Sequence, residues 1–336
     1  MSDAKREIRT IRRPACFLCG SEGKVRYTNL VDRLFNAPGT WVLKECCGPA
    51  CGLLWLDPTP LSEDLPLAYQ KYFTHEPGKR ASQSGRIRGL LYQGYQVAST
   101  VPATLTGLQK AKNHLRQMFL TDLKPGRLLD VGCGDGVFLD RMRKEGWAVD
   151  GVDFDEHAIE NAKLKYGLKL WHGDLHSAHF QADSFDAITL SHVIEHVTNP
   201  GELMVELKRI LKPGGRVVLT TPNSAGLGHR KFQSYWWGLD PPRHLQVFNL
   251  IALHRLAEQT GFGEIHTFST AANADIFIGG SYSIRDSSDQ RIDYKPPPNL
   301  RRTLGAVFGQ YNEHRILAKD PAVGEEAVLI CEKKSP

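Results

Sequence analysis

Between residues 127 and 221 the chain alternates short apolar runs with amphipathic stretches. The runs near 127–132, 147–153, 169–174, 185–191 and 215–221 are bounded by turn residues and predict strands. The stretches near 136–145, 156–166 and 200–211 repeat apolar residues three and four apart and predict helices. Strand and helix in regular alternation is the rhythm of a parallel sheet covered on both faces, an α/β, doubly wound fold. Upstream, Leu108, Ala111, Leu115, Met118 and Phe119 fall on one side of a helix predicted over 105–120. Downstream, Asn249 is an N-cap for a helix through Leu253, Leu256 and Ala257 that ends at Gly261, and strands are expected near 263–270 and 325–332. Residues 75–90, polar and rich in Gly, Ser and basic side chains, predict a linker. Residues 271–324, with Pro296-Pro297-Pro298, carry no diagnostic motif and are expected to be an insertion: a lid, an oligomer contact or an excursion. The expected organisation is a front module over 1–60, a linker and helical connection over 61–104, and a main domain over 105–336.

The turn after the first strand of this unit changes the picture. Leu128-Leu129-Asp130-Val131 runs into Gly132, Gly134 and Gly136, and the second strand delivers Asp153. Alternate glycines permit positive φ and close backbone approach to a ligand. An acid about 20 residues later is suitably placed for a ribose diol. Strand, bare turn, helix and acid together build a nucleoside pocket. A pyrophosphate-binding turn would read G-x-G-x-x-G, and Val137 stands where its third glycine belongs.

With Val152-Asp153, Gly173-Asp174-Leu175, Ser184-Phe185-Asp186-Ala187-Ile188-Thr189-Leu190 and Leu211-Lys212-Pro213-Gly214-Gly215, the order and spacing over 105–270 resemble the class I S-adenosylmethionine-dependent methyltransferases. The resemblance implies a seven-stranded Rossmann-like sheet, completed by the two late strands. It also implies S-adenosylmethionine as methyl donor. Asp130, Gly132, Gly134 and Gly136 would frame the methionine part, Asp153 the ribose, and Asp174 with Leu175 the adenine. Without a ligand, the glycines would make a tight turn and Gly173-Asp174 an ordinary one.

The first 51 residues hold five of the seven cysteines, as Cys16-x-x-Cys19 and Cys46-Cys47-Gly48-Pro49-Ala50-Cys51. Two thiolate pairs at this spacing read as a zinc ribbon closed by a structural Zn2+. A unit so small needs the metal to fold. Cys16, Cys19, Cys47 and Cys51 are the expected ligands, Cys47 being preferred to Cys46 because it gives the shorter loop. Cys133 and Cys331 are read as small core residues. The ribbon, followed by Trp55-Leu56-Asp57-Pro58 and Tyr69, resembles the front module of bacterial methyltransferases of sugar, polysaccharide and natural-product pathways.

His192-Val193-Ile194-Glu195-His196 follows the fourth strand and formally matches an inverted zinc-protease signature. That reading needs a helix and a third ligand from elsewhere, whereas this segment emerges from a strand. His-Val-x-Glu-His-Val is also frequent in the methyltransferases it resembles. For transfer to a hydroxyl a general base helps. His192, at the strand's carboxyl edge, is one candidate. His244, in the segment Tyr235-Trp236-Trp237 through Pro242-Arg243-His244-Leu245, is the other. The two Trp residues either stack on an acceptor or pack the loop.

Composition narrows the alternatives. Of 336 residues 41% are apolar, mean hydropathy is −0.33 and no apolar stretch is long enough to span a membrane. Met1 to Arg13 is charged and lacks the apolar core of a secretory signal, so the expected location is cytoplasmic. The net charge of +5 owes +3 to that leading segment. Lys79, Arg80, Arg86 and Arg88 are the other local basic group, read as a solvated linker rather than an RNA contact. The expected reaction is methyl transfer to a hydroxyl oxygen of a small-molecule or glycan acceptor. An RNA-directed methyltransferase and a deoxysugar C-methyltransferase are the alternatives.

Overall fold

Leu128, Ala187, Val218 and Val328 stand on one face of the central sheet, and Leu129, Ile188, Leu219 and Leu329 on the other, because side chains alternate along each strand. All eight are buried, which is why these strands read as continuous apolar runs rather than as alternating ones. The computed structural model describes residues 7–69, 107–287 and 299–335. The linker expected at 75–90 and its basic cluster lie outside the described residues, as do the three prolines at 296–298.

In chain order the strands are β1 (Thr10–Ile11), β2 (Gly23–Leu30), β3 (Trp41–Cys46), β4 (Leu54–Leu56), β5 (Thr59–Pro60), β6 (Arg127–Val131), β7 (Ala148–Asp153), β8 (Trp171–His172), β9 (Phe185–Ser191), β10 (Leu211–Pro222), β11 (Gln246–Val247), β12 (Gly263–Thr270) and β13 (Glu326–Glu332). Seven of them form the main sheet in the order β12-β13-β10-β9-β6-β7-β8. It is parallel from β10 to β8, with β13 antiparallel to both β10 and β12. The expected seven-stranded Rossmann-like sheet is thus present. The strand expected over 169–174 shrinks to two residues, and β10 starts four residues before the expected 215 because Leu211 already pairs with Phe185 across a bulge.

The chain leaves β6 for β7 and β8 on one side, then returns to build β9 on the other. The carboxyl ends of β6 and β9 therefore bracket the crevice where open α/β sheets bind ligands. The helices are α1 (Leu108–Arg116), α2 (Val137–Lys144), α3 (Glu156–Tyr166), α4 (Pro200–Ile210), α5 (Leu227–Phe232), α6 (Leu250–Gln259), α7 (Ala274–Asp286) and α8 (Leu300–Leu317). Asn249 caps α6 as expected, its side chain accepting from the Ala252 N–H. Within the expected insertion, α7 supports the loop before His244: Ser281 Oγ accepts from the Trp237 N–H at 2.9 Å, and a Cβ on Gly280 would collide with the Trp237 ring. No helix among the described residues is long and apolar enough to cross a membrane.

The front module forms a four-stranded antiparallel sheet in the order β11-β4-β3-β2. Its edge strand β11 comes from residues 246–247, immediately after His244. One side of the module, with Cys16, Cys46, Cys51 and Leu53, packs into the core beneath α4 and α6. The other side, with Trp41, Leu43, Leu54 and Leu56, packs against Trp236, Leu239, Leu245 and Phe277.

Candidate functional site

The glycine turn has the backbone expected of it. Gly132, Gly134 and Gly136 have φ of +73°, +53° and +75°, a region that side chains disfavour. A Cβ at Gly132 would strike Val193 and one at Gly136 would press on Leu168 and Ala162, so these two glycines are required by packing. Nothing lies within 4 Å of a Cβ built on Gly134, the open point of the turn. Asp153 fastens this turn to β7. Its Oδ2 accepts from the Gly134 N–H at 2.8 Å and its Oδ1 from the Asp155 N–H at 2.9 Å. Each oxygen retains acceptor capacity for a diol.

Asp130 and Asp174 are placed differently from one another. Asp130 is buried and accepts from Thr189 Oγ1 at 2.6 Å, so it stands behind the turn. Burial pushes its carboxyl up to about 7, against the pull of the Thr189 hydrogen bond. Asp174 is exposed and caps its own turn, with Oδ1 accepting from the Ser177 N–H at 2.7 Å, while Leu175 is buried. Phe154, 63% exposed beside Asp153, offers a ring face at the same edge and was not foreseen.

Cys46, not Cys47, joins the cysteine cluster. The sulfurs of Cys16, Cys19, Cys46 and Cys51 lie within 4.8 Å of one another, with Cys16 to Cys51 at 3.8 Å and Cys19 to Cys46 at 3.3 Å. A tetrahedral zinc site with bonds near 2.3 Å has sulfur edges of about 3.8 Å. The four thiols fit a structural Zn2+, and Gly48 N–H donates to Cys46 Sγ as a metal-facing thiolate requires. The expectation of Cys47 is corrected: neighbours on a strand face opposite ways, and with Cys46 turned inward Cys47 is exposed. Within the longer Cys46-to-Cys51 loop Ala50 turns the chain with φ of +51°.

Beyond β9, Ile194 to His196 form a turn, not a helix. His192 has φ +55°, its Nδ1 lies 3.2 Å from Glu195 Oε1 and its Nε2 2.9 Å from Glu326 Oε1. Burial pulls the pKa of this ring down, but the hydrogen bonds and charges of the two carboxylates outweigh it and hold it up at about 10. Both ring nitrogens of His192 are thus engaged by carboxylates, which favours its charged form. That pairing works against its expected role as general base. His244 Nδ1 faces Gly238 O at 2.9 Å, so the proton sits there and Nε2 is left as an acceptor.

The loop carrying His244 is locked from the front module. Arg243 is fully buried; its guanidinium donates to both Asp32 oxygens at 2.8 and 2.9 Å, to Ala68 O at 3.0 Å and to Asp240. It also lies over the Phe35 ring. Trp236 is 1% exposed and donates from Nε1 to Glu325 Oε2 at 2.6 Å, so this Trp packs the loop instead of facing an acceptor. Neither Asp32 nor Glu325 was legible as a site residue, because each acts through a partner about 90 residues or more away.

A family model described as a methyltransferase domain matches residues 106–267, the stretch that holds the glycine turn, Asp153 and the His192–His196 turn. Over this segment the chain resembles a methyltransferase domain. A ubiquinone biosynthesis O-methyltransferase of Coxiella burnetii is 31% identical over 134 residues, which are 38% of this chain and 54% of that protein. One of the same name from Dechloromonas aromatica is 37% identical over 103 residues, 29% of this chain and 44% of that protein. The chain thus spans about half the length of the curated relatives it matches. A solved S-adenosylmethionine-dependent methyltransferase of Archaeoglobus fulgidus is 18% identical, covers 67% of this chain and 94% of that one, and has a TM-score of 0.45.

Proposed function

We propose that this protein transfers a methyl group from S-adenosylmethionine to a hydroxyl oxygen of a small-molecule or glycan acceptor, in the cytoplasm. The observation that carries the reading is the open backbone at Gly134, hydrogen-bonded to Asp153 at the carboxyl edge of β6 and β7. Gly132, Gly134 and Gly136 would hold the methionine part, with Asp130 supporting them from behind. Asp153 would bind the ribose, and Leu175 with the neighbouring Asp174 turn would border the adenine. The curated relatives, named as O-methyltransferases, support oxygen as acceptor atom.

In the reaction the sulfonium's carbon–sulfur bond breaks as a carbon–oxygen bond forms in line. The acceptor loses its proton, and S-adenosylhomocysteine leaves. Because the leaving group is already activated, alignment supplies most of the rate. His244, of the two histidines, keeps a ring nitrogen free to act on the acceptor hydroxyl. The zinc ribbon supplies no chemistry in this reading; it stiffens the strand pair on which the His244 loop rests.

The test is isothermal calorimetry with S-adenosylmethionine. Asp153→Ala should lose donor binding while remaining folded by circular dichroism. Unchanged affinity in that variant would remove the pocket assignment.

A further inference from the structure

Among the described residues the zinc-protease reading of His192 to His196 lacks both a helix and a cluster that joins His192 and His196 to a third ligand. The structure brings a different trio together. Glu195, His196 and His244 can each present one ligand atom within 4.8 Å of the other two, although 47 residues separate the two histidines in sequence.

The backbone holds them there. Leu245 N–H donates to Glu195 O at 2.9 Å, and Gln246 Nε2 donates to Ile194 O at 2.9 Å and to Val197 O at 2.8 Å. His196 Nδ1 lies 3.1 Å from Arg243 O and 2.9 Å from Tyr69 Oη. A carbonyl can only accept, so the Gly238 O contact puts the His244 proton on Nδ1; at His196 the Arg243 O contact favours the same tautomer, and a Tyr69 hydroxyl donating to Nδ1 favours the other. Among the described residues no donor meets Nε2 of either ring. Two imidazoles whose Nδ1 atoms face backbone carbonyls, with no hydrogen bond at Nε2 among the described residues, match the way metal-binding histidines are oriented by a backbone partner.

Glu195 completes the set. It is fully buried, and its oxygens accept from Thr221 Oγ1 at 3.0 Å and from His192 Nδ1 at 3.2 Å. Those two donors orient the carboxylate and leave it further lone pairs, as ligating carboxylates require. We propose that Glu195, His196 and His244 form a second metal site, separate from the four cysteines, that takes a divalent first-row transition ion. Two imidazoles and one carboxylate suit Zn2+, Fe2+, Co2+ or Ni2+, whereas Mg2+ and Ca2+ prefer all-oxygen sets. Three protein ligands leave coordination positions open. One consequence rests on the methyl-transfer reading: an acceptor hydroxyl bound at an open position would release its proton to solvent more readily, and His244, its Nε2 then committed to the ion, would position the acceptor instead of taking that proton.

The experiment loads the full chain with Co2+, removes excess metal by dialysis, and measures metal per protein with the visible and near-ultraviolet spectrum. Expected are two equivalents, one with the thiolate-to-cobalt charge-transfer band of the cysteine site and one without it. His196→Gln and His244→Gln should each lose the equivalent that lacks the band and keep the one that has it, which also reports that the front module stays folded. A wild-type chain holding a single equivalent, all of it with the thiolate band, overturns the proposal, and so do two equivalents in both variants. A single equivalent without the band, lost in His244→Gln, supports this site and removes the ribbon's metal instead. None of these readings depends on methyl transfer, so failure of the proposed reaction would leave the metal result standing.

Discussion

Asp130 sits at 6% exposure with an acceptor's duties toward Thr189 and another carboxylate, Asp153, close enough to oppose its charge. Its folded pKa of about 7 against an ordinary 3.8 means that the native chain holds a proton the unfolded chain has released. Stability from this group is therefore present at low pH and lost as pH rises between those two values, the reverse of an ion-paired acid. Asp130→Asn keeps a side chain of the same shape and removes the charge. In thermal melts the variant should gain on the wild type between about pH 4 and pH 8, by at least ~2 °C, the effect of about 1 kcal/mol in a chain of this size. A gap that does not widen with pH would mean that the carboxyl is ionised at no cost. At this scale the sequence is informative where chemistry depends on neighbours in the chain. The Gly132, Gly134, Gly136 turn and Asp153 are of that kind. Choosing between Cys46 and Cys47 depends instead on which face of β3 turns inward, and loop length alone points to the wrong one.

The elements whose cores are local were also legible. β9 and β12 start and end where the apolar pattern says, and α3 does so with Asp155 as its cap. β8 is too short to leave a pattern, and β11 has only two residues, whose partner strand β4 lies some 190 positions earlier. What holds β11 and the His244 loop against the front module is Arg243, in an ion-paired site without solvent. Arg243→Ala would leave Asp32 and Asp240 buried without their cation, and breaking such a pair costs about 3–5 kcal/mol. Chemical denaturation should show a loss of that size. A loss under about 1 kcal/mol, the range of exposed pairs, would mean that water reaches the site.

Across the whole molecule the ribbon and the glycine turn serve different halves of the site. The ribbon's sheet ends in β11, next to His244, whereas the glycine turn is held by β6, β7 and Val193. Cys46→Ser should therefore lower zinc content and reduce methyl transfer about 10-fold or more, since misplacement by 1 Å can cost 100-fold, while S-adenosylmethionine binds as before. Cys47→Ser should match the wild type in both. Equal loss of donor affinity in Cys46→Ser would mean that the two halves unfold together. The α/β class and the ribbon were readable from spacing alone. The splice between them was not, because it consists of pairings between residues far apart in the chain.

That splice has a consequence for anyone dividing the protein. A fragment cut after residue 69 would strip the neighbour from β11, lay bare the aromatic floor formed by Trp236 and Phe277, and leave Arg243 with half its counter-charge. The boundary drawn by motifs is thus not a seam at which the polypeptide can be parted, and swapping one front end for another would reshape the catalytic mouth along with it.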